Sequence, residues 1–507
     1  MNHLIAAPLL LPPLVGAIMI MSMRHHLELA RIFSVASISL LLLINIWLLA
    51  QSGSGAIQTY ELGAWPAPFG IVLVLDRLAA IMLVLTAAIA LAVVVYAIGS
   101  GWDRRGRHFH ALLQFQVMGL YGAFLTGDLF NLFVFFEVLL IASYGLMVHG
   151  GGQKRLQAGV QYVVYNLLGS TLFLFALGTI YAVTGTLNMA DLAVRVAEIP
   201  ADNTALIRVA AVLLLLVFAI KAALVPLHFW LPSTYAEAPG PVAALFAIMT
   251  KVGVYAILRV FALIFAPAAA TGDLAQSWLP PLAMATLVIG AIGVLGARSL
   301  GRLAALATVG SVGTMLIALG VFTPRTTAAA LYYMIHSTLA CALLFLVVDL
   351  VRSRRPDRDD RLVPAPAIMQ GGLVSSLFLA SAIGVAGLPP LSGFIGKLLI
   401  LSGVRGTESG WMVWAIILVT SLVLVVGFAR AGSILFWQVT GETASEPADG
   451  NGSRLTFVAA FGLLGSMAAL ALLAGPVLTF LTDTAAQVYD PAAYISAVLP
   501  QLGETQQ

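Results

Sequence analysis

The sequence predicts an all-α polytopic membrane protein with about 14 transmembrane helices, and composition and patterning carry this prediction. Of the 507 residues, 61% are hydrophobic and 9% are charged, whereas soluble domains carry about 25% charged residues. The mean hydropathy is +1.01, and apolar runs of about 20 residues, enough to span a bilayer, recur along the chain. These observations exclude a soluble enzyme, a nucleic-acid-binding protein and a secreted disulfide-stabilised domain.

Fourteen apolar segments follow one another along the chain. The first is too long for the apolar part of a signal peptide and lacks a small-residue cleavage site, so we interpret it as a membrane helix. Three segments exceed the length of a simple crossing, which predicts tilt or interruption. In order, the segments are 3–22, 28–50, 71–99, 109–127, 129–148, 158–183, 205–231, 239–266, 279–297, 301–322, 327–351, 371–403, 411–437 and 454–480.

Basic residues in the loops predict the orientation. Alternate loops hold 15 and 4 of them, and the richer set belongs in the cytoplasm. An even number of helices then puts both termini on the outer side. The basic stretch 352–361 is interpreted as a topology signal that contacts anionic lipid rather than nucleic acid. The cytoplasmic set is Arg24, Arg31, Arg104, Arg105, Arg107, Lys154, Arg155, Arg298, Arg302, Arg352, Arg354, Arg355, Arg358, Arg361 and Arg454, and the outer set is Arg195, Arg208, Arg325 and Arg405.

Several charged residues lie near the ends of segments and have structural explanations. Arg77, Arg259 and Arg430 are expected to snorkel or to pair, Arg77 with the adjacent Asp76. Asp128 lies nine residues before Glu137, on the opposite helix face, and is interpreted as a helix-start residue. Asp76 and Asp349 are also interpreted as structural.

Five ionisable residues lie well inside apolar segments: Glu137, Lys221, Lys251, His336 and Lys397. Each charge at the centre of a membrane helix costs about 2.5–3.5 kcal/mol on insertion scales. Such residues therefore predict an ion pathway. The alternatives are that Glu137 only neutralises a lysine, that Lys221 and Lys251 are only counter-ions to buried carboxylates, and that His336 only bonds a neighbouring helix.

Two segments contain helix breakers at membrane depth. Pro226 removes a backbone donor after Lys221, and Pro389 and Pro390 interrupt the helix before Lys397. Broken backbone at this depth is tolerated where it is buried in protein or lines a hydrated cavity. The breaks lie five segments apart, which predicts two inverted five-helix repeats, each with a broken helix.

These repeats define the predicted organisation of the chain. Residues 1–108 form three N-terminal helices, 109–266 the first repeat and 279–437 the second repeat, each repeat being a proton half-channel. Residues 438–507 comprise a cytoplasmic loop, the last transmembrane helix and a short tail.

The buried residues allow proton transfer. Burial disfavours the charged form of an amine, and a carboxylate within about 4–6 Å restores it. Movement of Glu137 relative to Lys221 would therefore switch the affinity of this lysine for a proton, and Lys251, His336 and Lys397 would pass the proton on. The single Cys341 and the absence of metal, nucleotide or flavin motifs predict no cofactor.

Three stretches at these residues resemble the antiporter-like family. They are FNLFVFFEVLLIASY (130–144), the run 221–260 beginning KAALVPLHFW, and GLPPLSGFIGKLLIL (387–401). This family comprises the large proton-channelling subunits of respiratory complex I and of Mrp-type cation/proton antiporters, and the details are most similar to the D-type subunits of the Mrp-type (Mnh/Pha) branch.

The resemblance implies a role for each buried residue. Glu137 and Lys221 match the family's glutamate–lysine pair, Lys251 its central lysine, His336 its relay histidine and Lys397 its terminal lysine. Many complex I relatives carry a lysine four residues after that histidine, where this chain has Ala340. Ordered water is the alternative bridge there.

The resemblance also implies a function and partners. The chain is expected to be a proton-translocating subunit of a Na⁺ or K⁺/H⁺ antiporter in the bacterial inner membrane, assembled with A, B, C, E, F and G type subunits. The main alternative is a pumping subunit of a complex I-type dehydrogenase or a membrane-bound hydrogenase. An inactive membrane scaffold and a stand-alone transporter are the others.

Overall fold

The computed structural model describes residues 3–267, 269, 271–355, 358–440 and 454–499. Most of the predicted cytoplasmic loop, from 441 to 453, and the tail from 500 onward lie outside the described residues. The α-helices are α1 Ala7–Ser22, α2 Leu27–Ser52, α3 Arg77–Ser100, α4 Phe109–Leu125, α5 Leu129–Met147, α6 Gln153–Thr184, α7 Met189–Ala197, α8 Ala205–Ala222, α9 Trp230–Glu237, α10 Gly240–Phe246, α11 Met249–Leu263, α12 Asp273–Gly296, α13 Leu300–Leu319, α14 Pro324–Ser353, α15 Gly371–Ala386, α16 Ser392–Gly403, α17 Gly410–Gly432, α18 Arg454–Leu472, α19 Ala474–Val488 and α20 Pro491–Val498.

The mostly helical membrane fold predicted from the sequence is confirmed. In the described part of the chain, 12 helices are long and apolar enough to cross a bilayer, and three shorter apolar helices accompany them, α4, α15 and α16. All 14 predicted segments contain helix. The number of crossings and the two inverted repeats stay predictions.

The centre of the bundle is formed by α10, α11 and α14. The most apolar window of Gly240–Leu263 is 100% buried and that of Pro324–Ser353 is 94% buried, against 33% for Leu27–Ser52. A helix that is apolar all round lies either in a protein core or in contact with lipid, and the burial of these windows places them in the core of the bundle. Lys251 of α11 and His336 of α14 therefore lie on central helices, whereas α2 lies at the outer surface of the bundle.

A two-stranded antiparallel sheet precedes α3. Strand β1 (Gln58–Glu61) pairs with β2 (Val72–Leu75), with Gln58 opposite Leu75. The sequence predicted a helix from residue 71, but the helix begins at Arg77 because the Asp76 carboxylate caps it, accepting a hydrogen bond from the Ala79 N–H at 2.8 Å. The additional length of this segment is thus a strand.

The loops rich in basic residues meet at one end of the bundle, which we call the arginine-rich end. The Arg155 Nε donates to the Glu237 carbonyl at 2.9 Å, joining the start of α6 to the end of α9. The Arg352 Nη2 donates to the Ala236 carbonyl at 3.0 Å, which adds the end of α14. The predicted grouping of these loops agrees with the contacts.

The opposite end contains ion pairs that correct one prediction. Asp76 pairs with Arg259 of α11 at 2.6 Å rather than with its neighbour Arg77. Arg77 pairs instead with Asp483 of α19 at 3.0 Å. Adjacent residues at a helix start point in different directions, so closeness in sequence does not decide the partner.

Candidate proton-transfer site

Lys221 lies in the last turn of α8, directly before the predicted break. The helix ends at Ala222, and Ala223 adopts a left-handed conformation with φ 58°. Residues 223–229, which include Pro226, are not helical, and α9 begins at Trp230. The Thr286 hydroxyl accepts a hydrogen bond from the Val225 N–H at 3.0 Å, so neighbouring α12 satisfies part of the unwound backbone.

A second interruption separates α15 from α16. The first helix ends at Ala386, Gly387 follows with φ 78°, and α16 starts at Ser392. Pro389 and Pro390 lie in the connection, as predicted. Lys397 lies in the second turn of α16, on the far side of this break.

A third interruption was not predicted. The sequence indicated one helix over 239–266, but α10 ends at Phe246 and α11 begins at Met249. The Ile248 N–H bonds to the Leu245 carbonyl at 3.2 Å, three residues back, which is a tighter turn than an α-helix. Lys251 therefore lies in the first turn of a helix rather than mid-helix.

Glu137 and Lys221 are connected through α6. The Ser170 hydroxyl donates a hydrogen bond to Glu137 Oε1 and lies 3.0 Å from the Asn166 carbonyl. The Lys221 Nζ donates to Asn166 Oδ1 at 3.1 Å. Among the ion pairs of the described residues, none within 4.0 Å joins Lys221 to Glu137. The structure thus connects the predicted pair through the Ser170 hydroxyl and through the carbonyl and side chain of Asn166.

The sequence reasoning missed these intervening side chains. Tyr162, Asn166 and Ser170 recur every fourth residue along α6, so they share one helix face. The Tyr162 hydroxyl lies 2.8 Å from the Ser143 hydroxyl of α5. A polar stripe at this spacing in an otherwise apolar segment was the signal that could have identified them.

Lys251 is fully buried in the protein. Its Nζ donates to the Thr250 hydroxyl at 3.3 Å. A Cβ added at Gly253 would lie 2.6 Å from the Ala222 backbone nitrogen, so α11 packs directly against the end of α8. Lys251 consequently lies beside the first break, near the helix that carries Lys221.

His336 joins α14 to both sides of the second break. Its Nε2 lies 3.0 Å from the Gly384 carbonyl of α15, and its Nδ1 lies 2.8 Å from the Ser392 hydroxyl of α16. A carbonyl oxygen only accepts, so Nε2 carries the hydrogen, and Nδ1 of the neutral ring accepts from Ser392. A Cβ at Gly393 would lie 2.6 Å from Nε2, so this close approach requires glycine.

Lys397 bridges the second break from the other side. Its Nζ donates to the Ala386 carbonyl, at the end of α15, and to the Ser421 hydroxyl of α17, both at 2.8 Å. Carbonyls at a helix C-terminus lack intrahelical partners and attract positive charge. His336 and Lys397 thus lie at the same interruption. Ala340, where many complex I relatives carry a lysine, is buried and has no polar side-chain group.

The boundary carboxylates have structural contacts, as predicted. The Asp128 carboxylate caps α5 by accepting from the Asn131 N–H at 2.9 Å. Asp349 accepts from the Tyr96 hydroxyl at 2.9 Å and from the Trp102 indole at 3.0 Å. Among the described residues, no group of three or more histidine, cysteine, aspartate or glutamate side chains is placed to hold a metal ion.

Comparison with known proteins places this arrangement in a family. Residues 126–424, which include the five ionisable residues predicted for the pathway, match the family described as NADH:quinone oxidoreductase/Mrp antiporter, TM. The chain belongs to this family. The predicted membership of the antiporter-like family is therefore confirmed.

Relatives within the NADH:quinone oxidoreductase/Mrp antiporter family align over almost the whole chain. The D-type subunit of a probable K⁺/H⁺ antiporter of Rhizobium meliloti is 38% identical, with 98% of each chain covered. The D-type subunit of a Na⁺/H⁺ antiporter of Bacillus subtilis is 39% identical, with 99% of this chain and all of the relative covered. A chain of the Mrp complex from Dietzia sp. superposes with a TM-score of 0.87 at 28% identity, covering 98% of this chain and 100% of that one.

Proposed function

We propose that this chain is a proton-translocating subunit of a multisubunit Na⁺ or K⁺/H⁺ antiporter. The observation that carries the proposal is the set of buried and partly buried ionisable side chains near three helix interruptions. Glu137, Ser170, Asn166 and Lys221 form one connected group, and His336 and Lys397 flank a second break. Protons would move between these groups as their partners change.

The distribution of lysine supports proton transfer rather than packing. The chain has four lysines; Lys154 is exposed, and Lys221, Lys251 and Lys397 are buried. An amine in such surroundings exchanges its proton readily, whereas a guanidinium stays protonated. An inactive scaffold would gain nothing from three buried amines, each of which has a cost in the membrane interior.

The assembly and the location form part of the proposal. The relatives in Rhizobium meliloti and Bacillus subtilis are named as D-type subunits, which supports assembly with other Mrp-type subunits in a bacterial inner membrane. The arginine-rich end would face the cytoplasm, with both termini outside. The exchanged cation would follow a path elsewhere in the complex, because this route offers a single carboxylate, Glu137, to coordinate it.

The second candidate is a pumping subunit of a complex I-type oxidoreductase, since the family description covers both groups. The names of the relatives favour antiport. Co-purification of a tagged chain followed by mass spectrometry separates the two: small Mrp-type subunits support antiport, and quinone-reductase subunits support the alternative.

The test is cation-dependent proton exchange in inside-out vesicles from a host that lacks its own antiporters and expresses the whole complex. We expect Glu137→Ala and Lys221→Ala to lower exchange at least tenfold while the complex still assembles. Glu198→Ala and Lys154→Ala, at exposed positions, serve as matched controls and should exchange normally. Normal exchange by either buried-site variant would refute the proposal.

A further inference from the structure

A polar cavity of about 230 Å³ lies where α1, α2 and α4 meet at the arginine-rich end. We call it the α1–α2–α4 cavity. It lies outside the group of buried ionisable residues described above. Its lining includes Arg24, His25, Arg104, Arg107, His108 and His110.

The acidic residue of this cavity is already neutralised. Asp103 receives two hydrogen bonds from Arg31, from Nε at 2.6 Å and from Nη2 at 3.0 Å. A bidentate guanidinium–carboxylate pair satisfies both oxygens. The remaining charge in the lining is positive and comes from three exposed arginines, Arg24, Arg104 and Arg107.

His110 supplies a buried polar atom that lacks a partner. The residue is 3% exposed and lines the cavity. Its Nε2 lies 3.2 Å from Asp103 Oδ2, which only accepts, so Nε2 carries a hydrogen. The Nδ1 atom has no hydrogen-bond partner among the described residues. Buried polar atoms are nearly always satisfied, so this atom indicates a bound group.

The start of α4 lies at the same cavity. The 17-residue helix α4 starts at Phe109, and the preceding His108 makes no side-chain cap. The first N–H groups of a helix have no intrahelical partner and favour negative charge. His110 and Ala111, in this first turn, both line the cavity.

We infer that the α1–α2–α4 cavity binds a phosphate-type oxyanion, which is either the headgroup of an anionic phospholipid or free phosphate. Guanidinium groups match phosphate geometry, and His110 in its protonated form would donate from Nδ1. Two apolar residues close in sequence to the lining residues of α1 and α2 are exposed, Met21 at 83% and Leu29 at 45%. Lipid chains would contact them while the headgroup occupied the cavity.

The test uses the whole purified complex after delipidation. Binding of radiolabelled inorganic phosphate is measured, together with retention of phosphatidylglycerol against phosphatidylcholine by native mass spectrometry. We expect the Arg104→Ala/Arg107→Ala variant to lose at least tenfold in anion binding. The matched control is Arg298→Ala/Arg302→Ala, two exposed arginines in another loop of the arginine-rich end, which should bind as the unmodified complex does.

The two ligand sources give different results. Selective retention of phosphatidylglycerol that phosphate does not displace supports the headgroup, and saturable phosphate binding without lipid supports the free ion. His110→Gln keeps a donor for Asp103 but removes Nδ1, and it should weaken the same binding. Equal binding by the arginine variant and its control, or no binding of either ligand to the unmodified complex, would overturn the inference.

Discussion

The amine of Lys397 has two acceptors, the Ala386 carbonyl and the Ser421 hydroxyl, each at 2.8 Å. The side chain is 6% exposed, so its environment fits an amine and leaves little room for a planar guanidinium. A lysine here can hold and release a proton, whereas arginine keeps its charge. We therefore predict that proton transfer requires a lysine at position 397 and not only a positively charged side chain.

We expect Lys397→Arg to abolish exchange although the positive charge is retained. The measurement is cation-dependent proton exchange in inside-out vesicles, normalised to the amount of assembled complex. Lys154→Arg, at an exposed position, is the control and should leave exchange unchanged. Normal exchange by Lys397→Arg would mean that only the charge of this side chain matters.

We expect Ser170→Ala to lower exchange about tenfold, because it removes the hydroxyl that donates to Glu137; one hydrogen bond to a charged group contributes about 1.5–3 kcal/mol. Thr171→Ala is the control on the same helix, since the Thr171 hydroxyl bonds only to the Leu167 carbonyl of its own helix. The same vesicle assay is used. Equal losses in the two variants would argue against a role of Ser170 in the site.

Charged residues of the site were predictable from the sequence, and its neutral polar residues were not. A charge in an apolar run is visible because it is costly there. A serine or threonine in an apolar run does not indicate a site in this way, because many of them bond only to a carbonyl of their own helix. The Thr179 hydroxyl, for example, bonds to the Phe175 carbonyl at 2.8 Å. Only the fold shows that Ser170 and Ser421 bond across helices.

Backbone interruptions are the main feature at the level of the elements. The two proline-containing breaks were predicted because proline removes a donor and clashes with the preceding turn. The turn at Ala247 and Ile248 contains neither proline nor glycine, so the sequence offers no helix breaker that would have marked it. The hairpin before α3 was also missed, because its second strand is an apolar run that fits a helix equally well.

We expect Gly393→Ala to inactivate the complex, because the new Cβ would lie 2.6 Å from His336 Nε2 and would separate α16 from α15. Gly372→Ala, at the far end of α15 and with nothing within 4 Å of the new Cβ, is the control. Exchange and assembly are both measured. Full exchange by Gly393→Ala would show that His336 does not need its Gly384 contact.

Stability is expected to depend on pH through the contact that joins α2, α4 and the loop between α3 and α4. Burial alone would raise the pKa of Asp103, but hydrogen bonds from His110 and Arg31 outweigh it and hold the pKa below its ordinary value. The stabilisation is therefore present above about pH 3.9, the ordinary aspartate value, and is lost as the pH falls through the lower value of the folded protein.

The Tm of the purified complex measured at decreasing pH tests this linkage. Asp103→Asn should lower the Tm at neutral pH and reduce its loss in acid. Asp202→Asn, at an exposed position, should follow the unmodified complex throughout. An unchanged acid profile in Asp103→Asn would exclude this contact as the titrating element.

We predict the orientation of the whole molecule in the membrane from the unequal distribution of basic residues between its two ends. With Cys341, the single cysteine, replaced by alanine, Arg302→Cys should react with a membrane-impermeant thiol reagent only from the cytoplasmic side. Glu408→Cys, in the loop between α16 and α17, should react only from the outer side. Intact cells and inside-out vesicles provide the two accessible faces, and the reverse pattern would invert the proposed topology.

The overall architecture was easier to predict than its internal pairing. Apolar length predicts which segments form membrane helices, and charge asymmetry predicts which loops lie together, because both depend on the membrane and water around the protein. The partner of Asp76, by contrast, is Arg259, 183 residues further along the chain. Pairings of this kind depend on the packing of helices that the sequence pattern leaves open.

Lys251 lies in the first turn after the third interruption, and its amine has fewer close acceptors than the amine of Lys397. Among the described residues, its amine has one acceptor, the Thr250 hydroxyl at 3.3 Å, whereas Lys397 has two at 2.8 Å. The energy barrier to proton movement along the proposed route should therefore lie at Lys251, in the middle of that route. Such a barrier would prevent a passive leak across the membrane, so that protons pass only when neighbouring proteins of the complex drive a rearrangement.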